Sequence, residues 1–286
     1  MARAAHLLLD DDPKVFQDHL ALGFSGMENE AALQATLGAI EARIAGQFTP
    51  ELAQALFRDV RANLTMRQRY TEDELDKALE RGVVQYVILG AGLDSFAYRR
   101  PDLAAVVRIL EVDHPATQQW KQTCLRELHL NLPSNLTFVP INFERQTLKE
   151  ALQIGGYHAE LPSFFSWLGV TQYLTEEAIF ETLRLVASAA PGSEIVFEYL
   201  LPESLLDEET RGRFAALKAF AVAEGEPWVS LFEPTDLAAR VKELGFTRVW
   251  DLGPEEANAR YFAGRTDGLC VSSMSHLMTA RVGSVS

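Results

Sequence analysis

From residue 83 onward, short apolar runs alternate with helix-like stretches, and this alternation limits the possible folds more than any other feature. The runs are Val83–Leu89, Val106–Val112, Leu136–Ile141, Ser163–Leu168 and Ile195–Leu200. Pro115–Leu130, Thr147–Ile154 and Thr175–Ala189 separate several of them with helical patterns. Strands that alternate with helices require a mostly parallel sheet with helices on both faces. The runs are continuous rather than alternating in polarity, as strands buried on both faces should be. The expected class is therefore α/β.

Both flanks depart from that rhythm. Residues 1–81 read as a helical cap. Ala31–Ile44 has roughly helical spacing and should end near Gly46. Thr49-Pro50-Glu51 looks like a capped helix start with proline at the first position. Thr71 with Glu74 three residues later reads as a capping box, hence a further helix start. Residues 82–286 form the expected core, interrupted by an insertion at about 202–234 with a helix near Glu209–Glu224. A helix at Asp236–Leu244 leads to a strand at Phe246–Leu252, and a last strand is expected to run from Gly268 to Val282. That ending reads as strand–loop–strand, which predicts an antiparallel final strand.

Charge narrows the partners. The 26 basic and 40 acidic residues leave a net charge of −14, which repels phosphate backbones and argues against nucleic acid. No window approaches ~18 consecutive apolar residues, so no membrane span is expected. Leu7-Leu8-Leu9 runs straight into Asp10-Asp11-Asp12, unlike a signal peptide. Cys124 and Cys270 stand far apart with no zinc spacing, so no metal is expected and a cytoplasmic, reducing location is the default. The oligomeric state is left open.

The chemistry concentrates in Gly90-Ala91-Gly92-Leu93-Asp94-Ser95, after the first strand and before a helix-compatible segment. Glycines there allow a tight turn and close backbone approach to a ligand. Asp113 ends the second strand 21 residues after Gly92, where a carboxylate can accept from both ribose hydroxyls. Glu111, on the same strand face, is its rival. A dinucleotide site would want glycine or alanine at position 95, where Ser stands. Asp94 would repel a pyrophosphate but favour a sulfonium or ammonium. The residues therefore prefer S-adenosylmethionine to NAD.

Gln85–Arg100, QYVILGAGLDSFAYRR, closely resembles the signature of the leucine carboxyl methyltransferase family. Arg67-Gln-Arg69, Glu111-Val-Asp-His-Pro115, Lys121, Trp167–Leu174, Pro191-Gly192-Ser193 and Arg260-Tyr261-Phe262 extend the resemblance over nearly the whole chain. It implies a class I, Rossmann-like methyltransferase fold that binds S-adenosylmethionine. Gly90, Ala91, Gly92 and Asp94 then form the cofactor loop, and Asp113, with His114 beside it, matches the ribose acid. Asn142 and Phe143 occupy the place of an Asp-Leu pair that holds adenine. Arg67, or alternatively Arg69, matches an arginine for the methionine carboxylate. One departure is Leu168, where many members carry an acid.

The implied reaction is methyl transfer to oxygen, with a carboxylate of a small molecule or peptide as the first choice of acceptor. No residue is singled out as catalytic. His6, His19, His129 and His276 show no ligand spacing, and His114 is read as a loop-fixing residue. No His–Asp base pair is evident, which suits an acceptor already ionised at neutral pH. Tyr173, Trp228 and Phe232 are candidates for the acceptor pocket, with ordinary packing the equal alternative for the last two. An NAD-dependent oxidoreductase and a non-catalytic cofactor-binding protein are the competing readings.

Overall fold

The computed structural model describes residues 1–44, 49–142 and 145–283. Seven strands form one sheet: β1 Gln85–Leu89, β2 Arg108–Asp113, β3 Leu136–Pro140, β4 Ser163–Trp167, β5 Glu194–Leu200, β6 Phe246–Leu252 and β7 Ser275–Val282. The helices are α1 Ala2–Leu9, α2 Ala21–Phe24, α3 Glu30–Ile44, α4 Pro50–Glu80, α5 Phe96–Arg99, α6 Pro115–Glu127, α7 Leu148–Ile154, α8 Glu176–Ala187, α9 Glu208–Ala223, α10 Pro234–Glu243 and α11 Pro254–Tyr261. The strand order is β3-β2-β1-β4-β5-β7-β6. The first five strands are parallel, and β7 runs antiparallel between β5 and β6. The expected α/β class and the antiparallel last strand are both present.

Two compact units divide the chain. The second unit holds Thr71–Pro202, Trp228–Leu252 and Ser275–Ser286, and with them the whole sheet. Every residue of β1, β4 and β5 is buried, which explains their continuous apolar sequence. Tyr86 of β1 meets Phe96 and Phe164 edge-on at 4.9 and 5.7 Å, and its hydroxyl shares a 2.9 Å hydrogen bond with Ser166 Oγ. Such edge-to-face pairs add to the area they bury. Because β1 leads the sheet outward in both directions, its carboxyl end is a topological switch point, where ligands of such sheets bind.

The first unit gathers Met1–Tyr70, Glu203–Pro227 and Gly253–Met274. Ala4, Ala5, Ala21 and Leu33 form a small core there. His6 is fully buried, with Nδ1 2.9 Å from Asp10 and Nε2 accepting from the Val15 N–H at 3.0 Å. Arg265 donates to the Asp11 and Pro13 carbonyls at 2.9 and 2.6 Å. These bonds tie down a stretch without regular structure, whose backbone groups need partners.

Three local expectations are corrected. Thr71 starts no helix: α4 is one helix of 31 residues, and Thr71 lies fully buried inside it. No glycine or proline interrupts Glu51–Glu80, so nothing stops the helix at the apparent capping box. The link between the last two strands is not a plain loop, because α11 fills part of it; Pro254 with Glu255 and Glu256 supplies its start signal. The last strand begins at Ser275 rather than near Gly268. The expected end of the early helix near Gly46 lies outside the described residues.

Candidate functional site

The glycine loop and Asp113 meet at the carboxyl ends of two adjacent parallel strands. Leu89 pairs with Val112, so Gly90 stands level with Asp113. Gly90 and Ala91 both donate to the Val112 carbonyl, at 2.9 and 3.2 Å. The Gly92 N–H donates to Asp113 Oδ2 at 2.5 Å, and the His114 N–H donates to Oδ1 at 2.6 Å. Each carboxylate oxygen keeps further lone-pair capacity for ligand hydroxyls. The exposed His114 accepts from the Ala116 N–H through Nδ1 at 3.2 Å, capping α6.

The two loop glycines are required for different reasons. Both have positive φ, +69° at Gly90 and +50° at Gly92. A Cβ on Gly90 would lie 2.5 Å from Val170 Cγ2, whereas one on Gly92 would meet, among the described residues outside its chain neighbours, nothing closer than Gly90 O at 4.0 Å. Space is therefore closed beside Gly90 and open beside Gly92, as a loop that receives a ligand requires. Asp94 is buried, and its Oδ1 accepts from the Phe96 N–H at 2.7 Å, at the start of α5.

Beneath the loop, the fully buried Glu111 carboxylate is hydrogen-bonded by the equally buried Lys121. Burial pushes the Glu111 pKa up, Lys121 pulls it down, and the Asp94 and Asp113 charges push it up again. Glu111 is thus committed to Lys121, while Asp113 takes the strand tip. The Ile141 N–H donates to the Asp113 carbonyl at 2.9 Å, which sets Asn142 just beyond the end of β3. Phe143 lies outside the described residues.

Arg67 and Arg69 belong to the first unit, unlike the loop. Two positions apart on α4, they project about 200° from each other, so one ligand group cannot engage both in the same way. Arg67 is half-buried; the exposed Arg69 lies 6.0 Å from the Tyr261 ring centroid.

The acceptor candidates gather around the ends of β4 and β5. Tyr173 is 38% exposed on a short turn after β4. The segment carrying Trp228 and Phe232 is pinned across that turn: the Val229 N–H donates to the Gln172 carbonyl at 2.6 Å, and the Phe232 N–H to Leu200 at 2.9 Å. Trp228 is half-buried. Phe232 is buried and packs edge-on against Phe180 and Tyr199 at 6.3 and 6.5 Å, which is a core position.

One polar arrangement at the same end of the sheet has no local signature in the sequence. His276 Nδ1 lies 2.7 Å from Asp251 Oδ2, and the Tyr199 hydroxyl donates to Asp251 Oδ1 at 2.6 Å. The expected lack of a His–Asp pair is therefore corrected. Its members are 25 positions apart on different strands, and only the β6–β7 pairing brings them together.

A sequence profile of the leucine carboxyl methyltransferase family matches residues 1–187. The Bacillus subtilis protein YktD, named as a candidate S-adenosyl-L-methionine-dependent methyltransferase, is 35% identical over 215 residues, covering 75% of this chain and 70% of YktD. A similarly named protein of Mycolicibacterium paratuberculosis is 32% identical over 160 residues; the match covers 54% of this chain and 52% of that relative, about half its length. Among solved structures, a Streptomyces avermitilis protein of the DUF574 family superposes with a TM-score of 0.59 at 16% identity, covering 92% of this chain and 97% of its own. A candidate methyltransferase from Thermobifida fusca superposes with a TM-score of 0.57 at 16% identity, covering 92% and 93%. At such identities the superpositions speak for the fold.

Proposed function

The chain belongs to the leucine carboxyl methyltransferase family, and on that premise we propose that it transfers a methyl group from S-adenosylmethionine to an oxygen, first of all that of a carboxylate. The observation that carries the reading is the Asp113 clamp on Gly92. It presents a carboxylate with spare acceptor capacity beside a loop glycine at which an added Cβ would meet, among the described residues outside its chain neighbours, nothing closer than Gly90 O at 4.0 Å. Bound there, the cofactor supplies a methyl group activated by a sulfonium. Asp113 is our candidate for gripping the ribose hydroxyls, with Gly90, Ala91 and Gly92 giving close backbone approach. Asp94 adds a buried negative charge near the loop, and Asn142 can accept from an adenine amino group through its side-chain oxygen. Tyr173 and Trp228 are the candidates for contact with the acceptor.

Holding donor and acceptor about 3 Å apart and in line can supply roughly 7–11 kcal/mol of barrier reduction. A carboxylate is ionised at neutral pH and needs no proton removed. It also matches the family's description. A dinucleotide reading has less support, since Ser95 is fully buried and Asp94 stands beside the turn where a pyrophosphate would lie. The test is radiolabelled methyl transfer to a set of small carboxylic acids and peptides, followed by dilute alkali. Release of the label as methanol supports an ester product. Label that resists alkali in every product would reject the carboxylate.

A further inference from the structure

We propose that the Asp251–His276 pair, backed by Tyr199, is a general base that gives this chain a further activity, methyl transfer to a hydroxyl group. The proposal rests on the methyltransferase reading and extends it beyond carboxylates. All three residues lie in the second unit, with the glycine loop.

Strand register places them at the ligand-binding edge. Leu89 of β1 pairs with Trp167 of β4, and Trp167 pairs with Phe197 of β5. Tyr199 is therefore two residues beyond the level of Leu89, and it pairs with His276 at the start of β7. Asp251 pairs with Met278, the neighbour of His276 on the same face of β7, near the end of β6. β1 and β7 are three strand spacings apart, roughly 14 Å. Between them, at the same edge, lies the turn carrying Tyr173.

The hydrogen bonds decide which nitrogen of His276 is the base. Tyr199 is fully buried, and burial, reinforced by the Asp251 and Glu233 charges, pushes its hydroxyl far above the usual pKa. It stays protonated and must donate to Asp251. A carboxylate that accepts this bond also accepts from the neighbouring imidazole, which places the His276 proton on Nδ1. Nε2 then carries the lone pair. Among the described residues no group hydrogen-bonds to it, and the His276 side chain is 12% exposed. An oriented imidazole of this kind, its far nitrogen held by a carboxylate, is the arrangement that activates weak oxygen nucleophiles. Tyr199 also stacks edge-on with the His276 ring at 5.9 Å, which restricts its rotation.

The step balances without a further reactant. The hydroxyl oxygen bonds to the methyl carbon, the carbon–sulfur bond breaks with its electron pair going to sulfur, and the hydroxyl proton passes to His276 Nε2. A carboxylate acceptor would omit the last transfer. The dyad therefore has no task in ester formation and a defined one in ether formation.

Three measurements on the full chain test this. Nitrogen-15 NMR of the imidazole, assigned with His276→Gln, should show neutral His276 with its proton on Nδ1, a preference that Asp251→Asn weakens. A neutral ring protonated on Nε2 overturns the proposal. Radiolabelled methyl transfer to a mixture of small phenols, alcohols and carboxylic acids should yield some alkali-stable label. In His276→Gln the ratio of alkali-stable to alkali-labile label should fall at least 100-fold, the scale of general-base catalysis. Cofactor affinity by calorimetric titration should stay within about twofold, which also shows that the variant folds. Wild-type protein that binds cofactor but forms no alkali-stable label overturns the proposal, as does an unchanged ratio in the variant. Failure of the wild type to bind cofactor at all would instead sink the methyltransferase reading, and this inference with it.

Discussion

The glycines of the loop separate folding from binding at the scale of single residues. Gly90→Ala would drive a Cβ to 2.5 Å from Val170 Cγ2 and hold a non-glycine residue at φ +69°. It should lower the melting temperature measurably, and Val170→Ala in the same chain should recover part of the loss, because the positive-φ strain of roughly 1–2 kcal/mol remains. Gly92→Ala meets open space, so its stability cost should be mainly that backbone strain, while cofactor affinity should fall more steeply than for Gly90→Ala. Equal effects on binding would show that the loop's open side is not a ligand site. Asp113→Ala removes the acceptor for two backbone N–H groups and, on our reading, the ribose partner. Titration should show binding weaker by roughly 1.5–3 kcal/mol. Hydrogen exchange at the Gly92 amide should speed up even without cofactor. Both glycines and Asp113 stand out in the sequence. The partners Val170 and Lys121 do not advertise their contacts, which depend on which strands and helices become neighbours.

Between elements, α4 and α9 meet through a charge pair that carries a pH signature. Asp59 of α4 lies 2.8 Å from Arg213 of α9, both largely buried within the first unit. Burial raises the Asp59 pKa to about 6, and Arg213 offsets only part of that shift. A carboxyl whose folded pKa lies above its unfolded value near 3.8 binds its proton more tightly in the folded state. Its contribution to stability is therefore greatest below pH ~4 and declines as pH rises toward 6, by roughly 3 kcal/mol at most. Asp59→Asn should remove this slope. Its stability relative to wild type, from urea unfolding, should rise between pH 4 and 6.5. A constant difference across that range would show that Arg213 fully compensates the charge. The buried strands β1, β4 and β5 were legible because they are short apolar runs, whereas the mostly exposed Phe246–Leu252 is marked by the glycines that bound it, Gly245 and Gly253. The length of α4 was not, because a threonine and a glutamate at capping spacing are equally compatible with a helix interior.

Across the whole molecule, protection should follow burial. β1, β4 and β5 are buried at every residue, so their amides should exchange slowest and report the opening of the second unit. α3 exposes much of its length and should exchange orders of magnitude faster. Comparable rates in α3 and β1 would contradict this distribution of stability. No described helix is long and apolar enough to cross a membrane. The sequence by itself determined the α/β class, the parallel strands and the glycine loop with its facing acid. Each of these rests on local pattern: burial on both faces demands continuous apolar runs, and a tight turn at a strand end demands glycine. Only the tertiary structure decided that Glu203–Pro227 and Gly253–Met274 join the N-terminal residues in one unit, and that Tyr199, Asp251 and His276 form one hydrogen-bonded group. The reason is register: one strand pairing sets residues dozens of positions apart side by side, and no local spacing encodes which pairing forms.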